Sequence, residues 1–426
     1  DVYKRQGTDT EAIENLRQLL VAKFGITDWG PISSFLGINM HYDVAAGVLE
    51  MDVIEKVKEL FSRHGILNNN TNIRARATPL DHDYSHIAVE EECEIDNSYV
   101  GLGKTKSTHW VAPPIDTAKL NPVEQYIVEH FAAIVGSLIY ISITARPDLA
   151  FAIGKLSRGM HQPNLRHVKM MVHVLGYLRK TQYLKLVYKR TGNAVQSLFR
   201  DLGAVDASLA SLCGSDHQNI DPLGGFSDAN HANKSDEQMK SISGYCFFLF
   251  GMLVSWRSKL QTITAASTHE SELIALAFCA NEAVWIRKLL TELKFTVPEI
   301  INVRNNESLD MQVKDEVDPV SVIDTIDGFD NELDDKPAIP SFPPIPLLVD
   351  NQSAVFSVNN PETSQRTRHL ATRYFKVRDY IKEQQVRVRH INTKMNVADF
   401  FTKGLERMEF TRFRDHLGME DHTPPS

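Results

Sequence analysis

The chain has 426 residues, of which 42% are hydrophobic and 23% charged, and its formal net charge is −8. This length allows two or three domains with buried cores. No uninterrupted apolar run of about 18 residues occurs, and the polar first residues lack the apolar core of a secretory signal, so no membrane segment is expected. The four cysteines lie far apart. They predict reduced intracellular thiols rather than a zinc site or disulfides.

The negative charge is concentrated in one segment. Residues 297–345 carry a net charge of −9, which leaves the rest of the chain at +1. By contrast, nine lysines and arginines and only two acids fall between Arg366 and Lys394. Such a basic stripe with interleaved aromatic residues is typical of a surface that contacts phosphates, although a solvated helix face can have the same pattern. We favour phosphate binding.

The first half of the chain has a largely helical pattern. After an unassigned tail at 1–10, apolar spacing predicts a helix over 11–26, a strand and turn over 30–43 and an amphipathic helix over 49–67. A polar loop is expected over 81–120. Asn121, Pro122 and Glu124 are typical of a helix start, and they open a helical region over 121–190 that ends in a strand. Residues 191–221 are predicted to be a linker.

The pattern changes to strands from residue 222. A first strand ends near Asp228, and two further strands with alternating apolar residues flank a turn at Gly251. A helix follows, in which Ser267 and Glu270 have the spacing of a capping box, so Glu270 is expected to be structural. Glu272 lies in the first two turns of that helix.

Two later segments complete the α/β pattern over 222–420. A short apolar run ends in Asp350, which is typical of an inner strand that delivers a residue to the carboxyl edge of a sheet. Asp399 is predicted to lie at the head of a C-terminal helix. The intervening residues 297–345 are too acidic and too often interrupted by proline to pack, so we interpret them as a disordered insertion.

The four acids Asp228, Glu272, Asp350 and Asp399 therefore lie at strand ends and helix starts. An oxygen-rich pocket of this kind suits two Mg²⁺ ions, with Mn²⁺ as a substitute, and such a pair can hydrolyse a phosphodiester. Each acid also has a structural interpretation. Asp228 could be a turn former, Asp350 a helix cap, and Asp399 an acid favoured by a helix dipole.

Seven strings occur in a fixed order, and they are FSDAN, SGYCFF, SWRSKLQT, STHESELIAL, LLVDNQSAV, RTRHL and NVADFFTKGL. They resemble the ribonuclease H domain of copia-type retrotransposon Pol polyproteins. GSLIYISITARPDLAFAIGKLSR resembles the helical connection that precedes this domain, and residues 11–80 resemble the C-terminal end of the reverse transcriptase, with its primer-grip-like hairpin and thumb helix. The resemblance implies a ribonuclease H-like mixed five-stranded sheet with flanking helices, preceded by a mostly helical thumb and connection region.

The resemblance also implies an activity, which is metal-dependent hydrolysis of the RNA strand of RNA·DNA hybrids with the four acids as metal ligands. By their place in the family motifs, it suggests Ser243, Gly244, Arg257, Ser258, Lys259 and Gln261 as nucleic-acid contacts, and Arg368 with His369 resembles the family's basic-His pair. The basic stripe adds Arg366, Arg373 and Lys394 as candidates. His390 is assigned to packing or a phosphate contact. No YVDD-like motif is present, so polymerase activity is implied for the family and not for this chain. The alternative is a non-catalytic nucleic-acid-binding remnant of a decayed retroelement.

Partners and location follow only from the resemblance. It implies an RNA·DNA hybrid and the upstream polymerase half of a Pol polyprotein as partners. It implies an intracellular location, in a cytoplasmic virus-like particle or in the nucleus.

Overall fold

The computed structural model describes residues 10–25, 30, 32–65, 73–82, 115–189, 223–231, 240–293, 343–360 and 376–423. The linker predicted at 191–221 lies outside these ranges, as do most of the polar loop predicted at 81–120 and most of the insertion predicted at 297–345. Within the described ranges the chain forms nine α-helices and two five-stranded sheets. The α/β class expected from the sequence is thus confirmed.

The first sheet is entirely antiparallel, and we call it the antiparallel sheet. Its strands, in spatial order, are β1 (Ser34–Phe35), β2 (Ile38–Asp43), β3 (Val48–Asp52), β4 (Leu184–Lys189) and β10 (Met419–Asp421). The prediction that residues 49–52 begin a helix is wrong. Gly47, at φ +65°, closes a turn that folds β3 back onto β2. Helix α2 (Ile54–Arg63) begins only after this strand.

The rest of the N-terminal region is helical, as predicted. Its helices are α1 (Thr10–Phe24), α3 (Pro122–Thr144), α4 (Ala150–Leu156) and α5 (Leu165–Lys180). Helix α3 begins with the expected capping box, in which Asn121 Oδ1 accepts a hydrogen bond from Glu124 N–H at 3.0 Å. The Glu124 carboxylate in turn accepts one from Asn121 N–H at 3.1 Å. These two bonds satisfy backbone donors that a helix start leaves open.

Helix α3 is long and apolar enough to cross a membrane by length and composition alone. Its apolar run is interrupted by Glu124, Glu129 and His130, so the helix does not contain an unbroken apolar run of about 18 residues. In the structure, residues such as Phe131 and Leu138 on α3 are buried in the same core as α4 and α5. Helix α3 therefore packs in the way that core helices do.

The second sheet, which we call the mixed sheet, is the one predicted from the strands after residue 222. In spatial order its strands are β7 (Met252–Leu260), β6 (Ile242–Leu249), β5 (Leu223–Asn230), β8 (Ile345–Val349) and β9 (Val386–His390). Strands β5, β6 and β7 are antiparallel neighbours, whereas β8 runs parallel to both β5 and β9. The predicted turn between β6 and β7 is confirmed, with positive φ at Phe250 and Gly251.

Helices α6 (Thr268–Glu292), α7 (Gln352–Asn359) and α8 (Lys376–Lys382) pack on one face of the mixed sheet. The other face packs against the N-terminal helices in a shared core. A hydrogen bond links the two regions, since Trp256 on β7 donates its indole N–H to the Ser142 carbonyl of α3 at 3.1 Å.

The C-terminal segment also joins the two regions. After the mixed sheet, helix α9 (Arg407–His416) packs the ring of Phe410 against Tyr177 of α5, with ring centroids 5.8 Å apart. Strand β10 then pairs with β4 and so completes the antiparallel sheet. Residues predicted to end the 222–420 unit thus lie in the sheet of the N-terminal region.

Candidate metal and nucleic-acid site

Asp228 lies near the end of β5, the central strand of the mixed sheet. Strands β6 and β8 flank β5, and the Asp228 side chain is only 3% exposed. This position inside a strand removes the interpretation of Asp228 as a turn former. A carboxylate buried so deeply is costly unless a partner or a cation neutralises it.

The two acids at the start of α6 have different environments. Ser267 Oγ accepts a hydrogen bond from Glu270 N–H at 3.2 Å, and the Glu270 carboxylate accepts one from Ala266 N–H at 2.7 Å. Glu270 therefore stabilises the helix start, as the capping spacing indicates. Glu272 is buried beside Asp228, and its carboxylate accepts a hydrogen bond from the backbone of Ala229. The geometry favours Glu272 over Glu270 as the site acid.

Asp350 follows β8 at the edge where β5 also ends, because the two strands are parallel. The cap of α7 is Asn351, whose Oδ1 accepts a hydrogen bond from Ala354 N–H at 3.0 Å. Asp350 is therefore not needed as a helix cap. One carboxylate oxygen from each of Asp228, Glu272 and Asp350 lies within 4.8 Å of the others. We call these three residues the acid cluster.

Asp399 approaches the acid cluster from a different kind of element than predicted. It lies in the short 3-10 helix Val397–Phe401, whereas the C-terminal helix α9 starts only at Arg407. The Asp399 carboxylate contacts that of Asp228, and its Oδ1 lies 2.9 Å from Lys403 Nζ. In the described part of the chain, Asp399 does not belong to the group of acids within 4.8 Å of one another.

A close fit between the 3-10 helix and the mixed sheet brings Asp399 to this place. Asn396, which is fully buried, donates its amide N–H to the Ser227 carbonyl at 3.0 Å. The Thr402 hydroxyl donates a hydrogen bond to Asp228 Oδ2. Gly244 lies opposite Asp228 on β6, and a Cβ there would stand only 2.6 Å from Thr402 Cγ2. Only glycine allows this approach.

Gly244 has a visible packing role, and its contact with nucleic acid stays a prediction. It is a packing residue that admits the segment carrying Asp399. The signal in the sequence was a glycine inside an otherwise regular strand pattern, which often marks a close approach of another backbone.

Burial raises the pKa of every acid in this region for which a shift is resolved. The pKa of Glu272 rises to about 10, and the charges of Asp228 and Asp350 add to the effect of burial. Burial also raises the pKa of Asp228, and it raises the pKa of Asp399 to about 8 even though Lys403 opposes the shift. Carboxyl groups that resist ionisation at neutral pH form a site short of positive charge, which a bound cation would supply.

The acid cluster fits a divalent metal ion. Glu272 Oε2 is buried and has no hydrogen-bond partner among the described residues, so it is an available ligand atom. Carboxylate oxygens are the donors that Mg²⁺ and Mn²⁺ prefer. Asp228, Glu272 and Asp350 are the residues that could hold such an ion.

Two of the predicted nucleic-acid contacts are buried beside the acid cluster. Gln261 donates its amide N–H to Ser243 Oγ and to the Ser271 carbonyl, both at 2.9 Å. These bonds join β6, the end of β7 and the start of α6. A contact of Ser243 or Gln261 with nucleic acid stays a prediction, and their visible role is to hold these elements together.

Of the other predicted contacts, Ser258 on β7 is half-buried, and the rest are exposed or lie outside the described residues. Arg257 and Lys259 are exposed on the edge strand β7, and Lys394 is exposed near the 3-10 helix. His390 has its Nε2 3.2 Å from the Asp350 carbonyl oxygen, at the rim of the site. The remaining candidates, outside the described ranges, are Arg366, Arg368, His369 and Arg373.

Comparison with known proteins places the chain among retroelement proteins, although no family model matches it. It is 25% identical over 419 residues to the Retrovirus-related Pol polyprotein from transposon TNT 1-94 of Nicotiana tabacum, a match that covers 98% of this chain and 24% of that protein. It is 27% identical over 296 residues to the Pol polyprotein from transposon RE1 of Arabidopsis thaliana, covering 70% of this chain and 15% of the relative.

A shorter match is to the Secreted RxLR effector protein 161 of Plasmopara viticola, which is 35% identical over 156 residues, 37% of this chain and 90% of that protein. Over nearly its whole length, the chain is similar to retrotransposon Pol polyproteins. It spans no more than about a quarter of the length of the Pol polyproteins cited here.

Proposed function

We propose that the chain is a metal-dependent ribonuclease H that hydrolyses the RNA strand of RNA·DNA hybrids. The observation that carries the proposal is the acid cluster, in which three buried or half-buried carboxylates converge without enough positive charge to neutralise them. The five-stranded mixed sheet supports a ribonuclease H-like fold, and the similarity to Pol polyproteins supports an enzyme that acts on nucleic acid.

The proposed chemistry requires an activated water and neutralisation of the departing 3′ oxygen, which divalent metal ions supply when bound. The chain's residues hold and orient the ligand atoms. The Thr402 hydroxyl donates to one oxygen of Asp228, and Glu272 Oε2 is buried without a hydrogen-bond partner among the described residues. Asp350 completes the set from the end of β8.

Recognition of a hybrid would rest on shape rather than on base sequence. The 2′-hydroxyls in the shallow minor groove distinguish an RNA strand from DNA, and basic side chains can follow the phosphates of the other strand. Arg257, Lys259 and Lys394 are exposed and available for such contacts. We further propose that the chain works with a polymerase portion of Pol, in a cytoplasmic virus-like particle or in the nucleus.

The test is cleavage of an RNA·DNA hybrid labelled on the RNA strand, with and without Mg²⁺, by the chain and by its Asp228→Asn variant. Loss of a metal ligand should remove several kcal/mol of transition-state stabilisation, so the rate should fall by about three orders of magnitude. The matched control is Glu270→Gln, which changes a neighbouring carboxylate with a capping role and should retain cleavage.

Three further outcomes are informative. Substantial residual cleavage by Asp228→Asn would contradict the assignment of the site. Equal cutting of double-stranded DNA would contradict the substrate. Binding of the hybrid without cleavage by the unmodified chain would favour the non-catalytic remnant.

A further inference from the structure

Lys403 has no role in the ribonuclease mechanism described above, yet its side chain reaches the site. Its Nζ lies 2.9 Å from Asp399 Oδ1, and the Lys403 side chain is 37% exposed whereas that of Asp399 is 6% exposed. The negative charges of Asp228 and Asp350 also act on the Lys403 ammonium group. Lys403 therefore adds one positive charge to a site with four acids.

The backbone fixes the place of this ammonium group. The N–H groups of Thr402 and Lys403 both donate to the Asp399 carbonyl at 3.2 Å, so the chain turns back over Asp399. The same segment is anchored by buried Asn396 and by the close approach at Gly244. Lys403 thus belongs to a rigidly held segment and does not reach the site from a free loop.

The four acids fall into two groups, which differ in whether a positively charged side chain lies beside them. The acid cluster has a buried oxygen, Glu272 Oε2, with no hydrogen-bond partner among the described residues, and Asp399 Oδ1 also lacks such a partner. Asp399 lies outside that cluster and already has a cation within ion-pair distance. Two divalent ions sharing four acids would require Asp399 as a ligand, and Lys403 competes for the same carboxylate.

We propose that Lys403 is a built-in cation that neutralises Asp399 and so disfavours binding of a second metal ion there, with the result that the chain without substrate binds one divalent ion, at the acid cluster. This deepens the proposed function, on which it rests, and it replaces the expectation of two Mg²⁺ ions for the substrate-free state. Lys403 is accordingly a positioning residue for Asp399.

The test is the stoichiometry and affinity of Mn²⁺ binding to the full chain without nucleic acid, measured by calorimetry and by the electron paramagnetic resonance of free Mn²⁺. The unmodified chain should bind one ion at the site. Lys403→Met keeps the length of the apolar stem and removes the charge, so a second ion should bind about tenfold more tightly or more. Lys403→Arg should restore binding of one ion.

Two controls separate charge from position and from folding. Lys382→Met removes an exposed positive charge at the end of α8 and should leave the stoichiometry at one. Asp228→Asn should abolish tight binding at the acid cluster. Circular dichroism of each variant checks that it is folded, and Lys403→Gln provides a second neutral variant if Lys403→Met is not.

The outcomes distinguish the two proposals. Two tightly bound ions in the unmodified chain, unchanged in Lys403→Met, would overturn the role of Lys403 and leave the metal-dependent nuclease intact. Absence of Mn²⁺ binding that depends on Asp228 would overturn both.

Discussion

Two regions of this protein bury carboxylates, and they do so in opposite ways. In the N-terminal region Asp148 is 2% exposed, and both of its oxygens accept hydrogen bonds from the Arg146 guanidinium, at 2.9 and 2.7 Å. Tyr177 OH donates to the same carboxylate at 2.7 Å, and Arg146 also donates to the Thr181 carbonyl at 2.9 Å. In the acid cluster, by contrast, oxygens of three carboxylates lie within 4.8 Å of one another.

The difference separates a structural site from a chemical one. The Arg146–Asp148 pair satisfies its own charges, so removing one partner leaves the other buried and uncompensated. The acid cluster leaves its charges unsatisfied, so removing one acid should relieve repulsion. Burial alone therefore does not identify function. In this protein a functional site is indicated by buried carboxylates that lack a positively charged partner.

The largest effect should come from breaking the satisfied pair. Arg146→Met should lower the free energy of unfolding by about 3–5 kcal/mol, because it leaves Asp148 buried without its cation. Denaturant unfolding monitored by circular dichroism measures this change. The double variant Arg146→Met/Asp148→Leu should recover part of the loss. A destabilisation below about 1 kcal/mol would contradict the contrast between the two regions.

The next effect, measured per pH unit, is a dependence of stability on the titration of Glu272 in the acid cluster and of Asp399 beside it. Glu272 and Asp399 have folded-state pKa values of about 10 and about 8, above their ordinary values of 4.5 and 3.8. Above those ordinary values the unfolded chain releases protons that the folded chain retains. The metal-free protein should therefore lose stability as the pH rises from about 4.5 towards 8 and beyond, by about 1.4 kcal/mol per pH unit for each proton.

Unfolding curves in a chelator at pH 6, 7 and 8 measure this slope, and saturating Mg²⁺ should flatten it. A stability that rises with pH in the chelator would show that the acids are already neutralised within the fold.

A smaller gain in stability is expected from Asp228→Asn. Because burial raises the pKa of Asp228 and Asp350 adds repulsion, the neutral amide should stabilise the metal-free protein at pH 8, by less than the loss expected for Arg146→Met. The same variant should lose the stabilisation by Mg²⁺. Thermal unfolding with and without the metal gives both quantities. Destabilisation of the metal-free variant would indicate that Asp228 has a structural role like that of Asp148.

The smallest effect concerns the support of one ligand. Thr402→Val removes the hydroxyl that donates to Asp228 but keeps the shape of the side chain. Loss of such an outer contact should weaken metal affinity about tenfold. Titration with Mn²⁺ measures the change, and Thr402→Ser, which retains the hydroxyl, should bind as the unmodified chain does. Equal Mn²⁺ affinities in the Thr402→Val and Thr402→Ser variants would show that the Thr402 hydroxyl does not support metal binding at the acid cluster.

Much of the mixed sheet could be predicted from local pattern. Alternating apolar residues predict β6 and β7, and an uninterrupted apolar run predicts β8. The capping-box spacing distinguishes the structural acid Glu270 from the site acid Glu272. These features depend on residues close in sequence. The helix start at Asn121 was predictable for the same reason.

Other features depend on contacts between distant residues, and the sequence did not reveal them. Residues 49–52 fit a helical pattern, and the strand β3 that they form instead depends on the turn at Gly47 and on pairing with β2 and β4. The 3-10 helix that carries Asp399 is stabilised by a bond from Asn396 to a strand far away in sequence. The pairing of β10 with β4 depends on no local signal.

The pairing of β10 with β4 has a consequence for synthesis on the ribosome. Lys189 and Glu420, which form an ion pair between these strands, are 231 residues apart. At about 5–20 residues per second, the nascent chain would wait on the order of 10–50 s between the emergence of β4 and that of β10. During this time the backbone N–H and C=O groups on the edge of β4 that later pairs with β10 have no strand partner. Lys185 and Lys189 lie on that strand, and charged residues of this kind discourage pairing with a neighbouring nascent chain.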